Sequence, residues 1–158
     1  RQVSEVRIEA ASIVLESLPE EGHPGPYNLE LRSNLDRKYA TDKTHPSNEA
    51  WLPATFVDAL AINVETSLQD LAESTVNIAV FDVRGERVAT SQLPLAPKML
   101  ECAAAGGQSF VPFKNPVLSR ISGQTAVGQI RGTIKFDQLP IFTPLAECDG
   151  GYIVDSIM

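Results

Sequence analysis

A chain of 158 residues that is 43% hydrophobic is long enough for one domain with its own core. With 13 Lys and Arg against 20 Asp and Glu, its formal charge of −7 argues against nucleic acid as a partner and against anionic-membrane binding driven by bulk charge, leaving only a local basic patch for such a role. Cys102 and Cys148 lie far apart, with no C-x-x-C and no histidine cluster, so they predict neither a metal framework nor a catalytic thiol and suit a reducing, cytoplasmic compartment.

No apolar run approaches the roughly 20 residues of a membrane-spanning helix, and the first residues lack the basic and apolar regions of a signal peptide. The first residue is Arg1 rather than Met, so a longer native chain is expected. In VSEVRIEAASIVLESL, Val6, Ile8 and Ala10 alternate with charged residues, which predicts an opening strand. The turn-rich stretch EEGHPGP at 20–26 leads to NLELRS, a short strand with Leu29 and Leu31 inward. THPSN at 44–48 is a further turn, followed by SNEAWLPATFVDALAINVE at 47–65, where the only tryptophan, Trp51, stands near Pro53 ahead of an apolar run. TSLQDLAES at 66–74 predicts a helical turn capped by Thr66 or Ser67, with Leu68 and Leu71 facing in.

VNIAVFDV reads as a central strand covered on both sides, Val76, Ile78 and Val80 on one face and Ala79 and Phe81 on the other. DVRGE at 82–86 is a turn; APKMLECAAA at 96–105 predicts a second helix that begins near Pro97 and stops at Gly106 and Gly107. KNP at 114–116 is another turn signal. Finally, Ile130, Gly132, Ile134 and Phe136 alternate with Gln129, Arg131, Thr133 and Lys135, the two-residue repeat of a half-buried strand. The spacing of strands and turns predicts an antiparallel all-β domain with one or two short helices. After Phe136, prolines and paired glycines break any continuous element, so the domain is expected to span 1–137 and an apolar C-terminal extension 138–158. In that extension Ile141, Phe142, Tyr152 and Ile153 are expected to pack on the domain or on a partner.

Taken in order, these pieces resemble a C2 domain. LPEEGHPGPYNLEL is similar to that family's first loop and second strand, where Leu-Pro precedes a polar loop, Asp-Pro-Tyr and an alternating strand. KTHPSNEAWLPATFVDALAINV resembles its Lys-Thr, short loop, Asn-Pro-x-Trp-Asn-Glu and Phe-x-Phe pattern. VNIAVFDVRGERVATSQLPL resembles the strand, third loop and strand built on V-x-D-x-D, and QSFVPFKNP with VGQIRGTIKF resembles the closing strand pair. The resemblance implies an eight-stranded antiparallel β-sandwich. A sandwich of unrelated topology is the alternative the residue pattern leaves open.

The same resemblance implies that Trp51 precedes the fourth strand and covers the sandwich edge, an architectural role. It also marks where calcium ligands would stand. Ca²⁺ takes six to eight oxygens, and here the Asp of the first loop is replaced by Gly25, with only Glu20 and Glu21 nearby. In the third loop Asp82 matches, but Arg84 holds the second position and Glu86 is the remaining acid. The expectation is no metal, with solvated loop acids and Asp82 capping a turn while pairing with Arg84 or Arg87. Arg32, Arg37, Lys38 and Lys43 fall where some C2 domains carry a phosphoinositide-binding patch, though Glu30, Asp36 and Asp42 interrupt them. His23 and His45 lie in proline-containing turns, and a relay of Asp82, His45 and a serine has no support in spacing. No enzyme activity and no cofactor are expected. The function implied is a noncatalytic, calcium-independent protein-interaction module of a larger scaffold, cytoskeletal or ciliary, with another protein as partner. The alternative is a calcium-independent phosphoinositide or membrane-targeting domain.

Overall fold

The computed structural model describes residues 3–35, 45–107, 109–119 and 127–138. β1 (Val3–Ser17) begins as the sequence predicts, burying Val6, Ile8 and Ala10, but then changes phase and buries Ile13 and Leu15. A strand has a two-residue period, so an odd step between buried positions requires one residue to be looped out. Ser12 marks that bulge. Its φ of 53° is left-handed, and there the register with β9 (Val127–Asp137) jumps from Ala11–Thr133 to Val14–Arg131. On its other side β1 pairs through Val3–Ala10 with β5 (Leu60–Ser67) and through Ile13–Leu15 with β4 (Ala54–Phe56), which therefore lie end to end.

The remaining strands are β2 (Asn28–Ser33), β3 (His45–Pro46), β6 (Thr75–Phe81), β7 (Arg87–Pro94) and β8 (Val111–Ser119). Pairing is antiparallel throughout and runs β3-β2-β6-β7-β8-β9-β1, ending on β4 and β5. With β4 and β5 sharing one position, eight strand positions form a nearly closed sandwich, β3-β2-β6-β7 over β8-β9-β1-β4/β5. The inward residues of both layers join in one core that includes Ile8, Leu29, Phe56, Ile78, Ile130 and Phe136. This is the all-β architecture the sequence predicts, with Leu29 and Leu31 of β2 and the even positions of β9 facing in.

Several local expectations change. His45–Pro46 is not a free turn but pairs with Leu29 and Asn28. β6 is buried on one face only, at Val76, Ile78 and Val80. Asn77 is exposed and Ala79 and Phe81 are half-buried, because the second layer covers a single face of an antiparallel sheet. KNP lies inside β8 rather than in a turn. Pro112 and Pro116 lack an N–H, so they cannot serve a full ladder on both edges. β8 pairs with β9 from Val111 to Leu118 but with β7 only at Ala89–Ser119 and Thr90–Leu118. Side chains close the rest of that seam. Asn115 Nδ2 donates to the Gln92 carbonyl at 2.7 Å, and the Ser91 hydroxyl donates to the Pro116 carbonyl at 2.8 Å. Asn115→Ala is expected to lower unfolding free energy by about 1–2 kcal/mol, read from the denaturant midpoint.

Both helices form. In α1 (Leu68–Ala72) the Ser67 hydroxyl accepts the Asp70 N–H at 3.2 Å, and Leu71 is buried while Leu68 packs only partly against the core. α2 (Leu95–Ala104) starts ahead of Pro97, its Leu95 N–H donating to the Ser74 carbonyl at 3.0 Å. It stops at Gly106 (φ 101°) and Gly107 (φ 90°), left-handed positions that glycine occupies without strain.

Candidate functional site

Three connections meet at one end of the sandwich: residues 18–27 between β1 and β2, 47–53 between β3 and β4, and 82–86 between β6 and β7. The first lies between the other two. Gly25 N–H donates to the Ala50 carbonyl at 3.0 Å, and Val83 N–H donates to the Pro24 carbonyl at 2.9 Å. Tyr27 N–H donates to the Ser47 hydroxyl at 2.8 Å, and the Tyr27 hydroxyl donates to the His23 carbonyl at 2.7 Å. Gly25 stands where the C2 pattern carries an acid. A Cβ at Gly25 would meet both the Ala50 carbonyl oxygen and the Tyr27 ring at 2.8 Å, so a side chain there would push the loops apart. The absence of a side chain at Gly25 thus lets the first and second connections come together.

Asp82 is the hub of the third connection. Its Oδ1 accepts the N–H groups of Arg84 at 2.9 Å and Glu86 at 3.0 Å, and its Oδ2 accepts from Arg84 Nη2 at 3.2 Å. Gly85 (φ 82°) closes the turn. The cap and the Arg84 pair match expectation, but Asp82 is fully buried rather than solvated. Burial alone pushes its carboxyl up; the Glu86 N–H and then the Arg84 guanidinium and N–H outweigh that and hold it below its ordinary value. Burial, and secondarily the Asp82 charge, raise the Tyr27 phenol.

The histidine beside Asp82 is His23, whose Nδ1 lies 3.7 Å from Oδ2 and whose Nε2 lies 3.9 Å from Glu20 Oε2. His45 sits opposite Leu29 in β3. Glu20 in turn accepts the Ser119 hydroxyl, tying the first connection to the end of β8. Among the described residues no group of three or more His, Cys, Asp or Glu side chains is placed to hold a metal ion.

Trp51 is the largest departure from the sequence reading. Expected to cover the sandwich edge, it is instead 69% exposed at the apex of 47–53. Its neighbour Leu52 is partly buried and packs against the core. The loop needs no help from the indole. Glu49 accepts the Thr55 N–H at 2.6 Å and the Thr55 hydroxyl at 2.8 Å, and Asn48 N–H donates to the Thr55 carbonyl at 2.9 Å. These bonds, the Thr55 N–H foremost, hold the Glu49 carboxyl below its ordinary value. From the third connection Val83, 52% exposed, adds a second apolar side chain to this end.

The expected basic patch is represented among the described residues by Arg32. It points outward from β2 and its Nε lies 2.6 Å from Glu30 Oε1, an exposed pair along one strand. Arg37, Lys38 and Lys43, and the extension residues Ile141, Phe142, Tyr152 and Ile153, lie outside the described residues. An open groove of about 590 Å³ elsewhere is lined by Ser12, Lys98, Glu101, Lys114 and Arg131. Two of its cations are matched, Lys98 by Glu101 at 2.8 Å and Arg131 by Glu16. No helix among the described residues is long and apolar enough to cross a membrane.

Solved structures share this architecture. A C2 domain of plant Extended Synaptotagmin 1 superposes with a TM-score of 0.56 at 10% identity, over 90% of this chain and 100% of that one. The fold is C2-like. PLC21 of L. pealei matches with a TM-score of 0.56 at 10% identity, over 89% of this chain, and PLC21 of S. officinalis with 0.51 at 14%, also over 89%. The chain spans 16% of each PLC21. At such identities a C2-like fold fixes architecture and leaves ligand and partner to the site itself. No family model and no curated protein matches the sequence.

Proposed function

We propose that this C2-like domain is a noncatalytic protein-interaction module of a larger cytoplasmic scaffold, docking through its loop end without calcium. The observation that carries the reading is Trp51, 69% exposed on a loop braced by its own hydrogen bonds. A large aromatic held outward at no packing benefit to its own fold is the usual form of a binding anchor, and a braced loop loses little entropy on docking. The cytoskeletal or ciliary setting rests on the sequence resemblance. A buried free thiol at Cys102 suits the reducing compartment.

Calcium independence is supported by how the acids are used. Asp82 is buried with both oxygens engaged and Arg84 drawn onto it, and Glu20 accepts from Ser119. That leaves far fewer free oxygens than the six to eight Ca²⁺ requires. The noncatalytic reading is supported by Asp82, whose two oxygens are taken up by the Arg84 and Glu86 groups, while the buried His23 Nδ1, 3.7 Å from Oδ2, makes no hydrogen bond to it.

Affinity capture with the intact chain and with Trp51→Ser tests the proposal. Specific partners should weaken by roughly 30-fold or more in the variant while its melting temperature stays unchanged. Equal capture by both proteins would remove the loop end as the site. Pelleting with phosphoinositide vesicles that is lost on Arg37→Ala with Lys38→Ala would replace the proposal with the membrane-targeting alternative.

A further inference from the structure

We infer that the segment docking on this loop end is cationic: a short Lys- or Arg-bearing peptide stretch of the partner that lays a positive side chain and its aliphatic stem against Trp51 and Val83. The inference rests on the docking role proposed for the loop end and names the chemistry of what docks.

The first ground is the indole. Its face carries negative quadrupolar charge and is the best aromatic acceptor of a cation, and here it stands in solvent with no cation of the described residues on it. The second ground is the charge around it. The three connections carry Glu20, Glu21, Glu49, Asp82 and Glu86, against Arg84 as their only Lys or Arg. Arg84 is already turned onto Asp82 at 3.2 Å. Glu21 and Glu86 are exposed and positioned on the two connections that touch at Pro24 and Val83. Asp82 and Glu49 are held below their ordinary values by their hydrogen bonds, so these three connections stay anionic through the physiological range. The overall charge of −7 adds long-range attraction for a cationic segment and repels an acidic or phosphorylated one, and an anionic bilayer likewise. Val83 supplies the apolar contact that the methylene stem of Lys or Arg covers. Pro24, Pro26, Ala50 and Pro53 are also exposed on these connections, so the apolar contact follows the loops and fits a short extended segment.

Trp51 is the only tryptophan in the chain, so its fluorescence reports this loop alone. The intact protein is titrated with a synthetic Lys/Arg/Leu peptide, with a Glu/Leu peptide of equal length, and with vesicles of phosphatidylcholine alone or mixed with phosphatidylserine. The expected result is a saturable blue shift with the basic peptide only, weakened about tenfold or more between about 50 and 500 mM salt. The double variant Glu21→Lys, Glu86→Lys should lose that response while its melting temperature and the acrylamide quenching of free Trp51 stay unchanged. No shift with the basic peptide, an equal shift with the acidic peptide or the vesicles, or a basic-peptide shift indifferent to the double variant would overturn the inference. If the double variant still captures partners that Trp51→Ser loses, the loop end docks but its ligand is not cationic. If Trp51→Ser loses none, the docking role itself falls.

Discussion

Gly128→Ala is expected to lower the melting temperature by about 6–12 °C, through a loss of about 3 kcal/mol or more. Gly128 lies near the start of β9, where that strand passes the end of β1. A Cβ added there would stand 2.2 Å from the Ser17 carbonyl oxygen and 2.7 Å from the Leu18 Cα. Those neighbours are backbone, so no rotamer change relieves the overlap. The pairing of β1 with β9 must part, and the register there is already shifted between Leu15 and Ser17. Gly85→Ala is the comparison: its Cβ would meet nothing within 4 Å, and only the positive φ of 82° is strained, a cost of about 1–2 kcal/mol. Thermal melts of the two variants check the pair. An unchanged midpoint for Gly128→Ala would mean that the end of β1 and the start of β9 do not touch.

Asp82→Ala should cost about 2–4 kcal/mol, because it leaves the Arg84 and Glu86 N–H groups without the acceptor that organises the third connection. Asp82→Asn separates charge from shape, since its carbonyl oxygen keeps the two N–H bonds. The folded carboxyl of Asp82 titrates below its ordinary value of 3.8. Its charge therefore stabilises the fold fully above that pH, and the contribution is lost as pH falls through the lower folded value. Below about pH 5 the gap in melting temperature between wild type and Asp82→Asn should close as pH falls toward about 2. Glu49, also shifted downward, is present in both proteins and cancels from the difference. A gap that widens in acid would refute the assignment.

Two features show why the candidate site was only half legible. The Asp82 cap could be anticipated, because Asp-Val-Arg-Gly-Glu places a short acceptor beside N–H groups two and four residues on, a local event. Trp51 could not. Whether an indole is buried depends on how its loop sits on the packed core, and here Leu52 makes the core contact while Glu49 and Thr55 hold the loop. A signal was present in the self-sufficient Ser-Asn-Glu run before Trp51, whose polar groups bond within the loop.

The first half of β1, β2 and β9 with their inward faces, the capped helix α1 and the all-β class were determined by the sequence alone, since period-two burial and side-chain capping act over a few residues. The bulge at Ser12, the proline-bearing strand β8 joined to β7 by side chains beyond two ladder positions, the burial of Asp82, and the meeting of Gly25 with Ala50 were decided only by tertiary structure. Each depends on which distant segment arrives alongside, and that is a property of the packed sandwich as a whole.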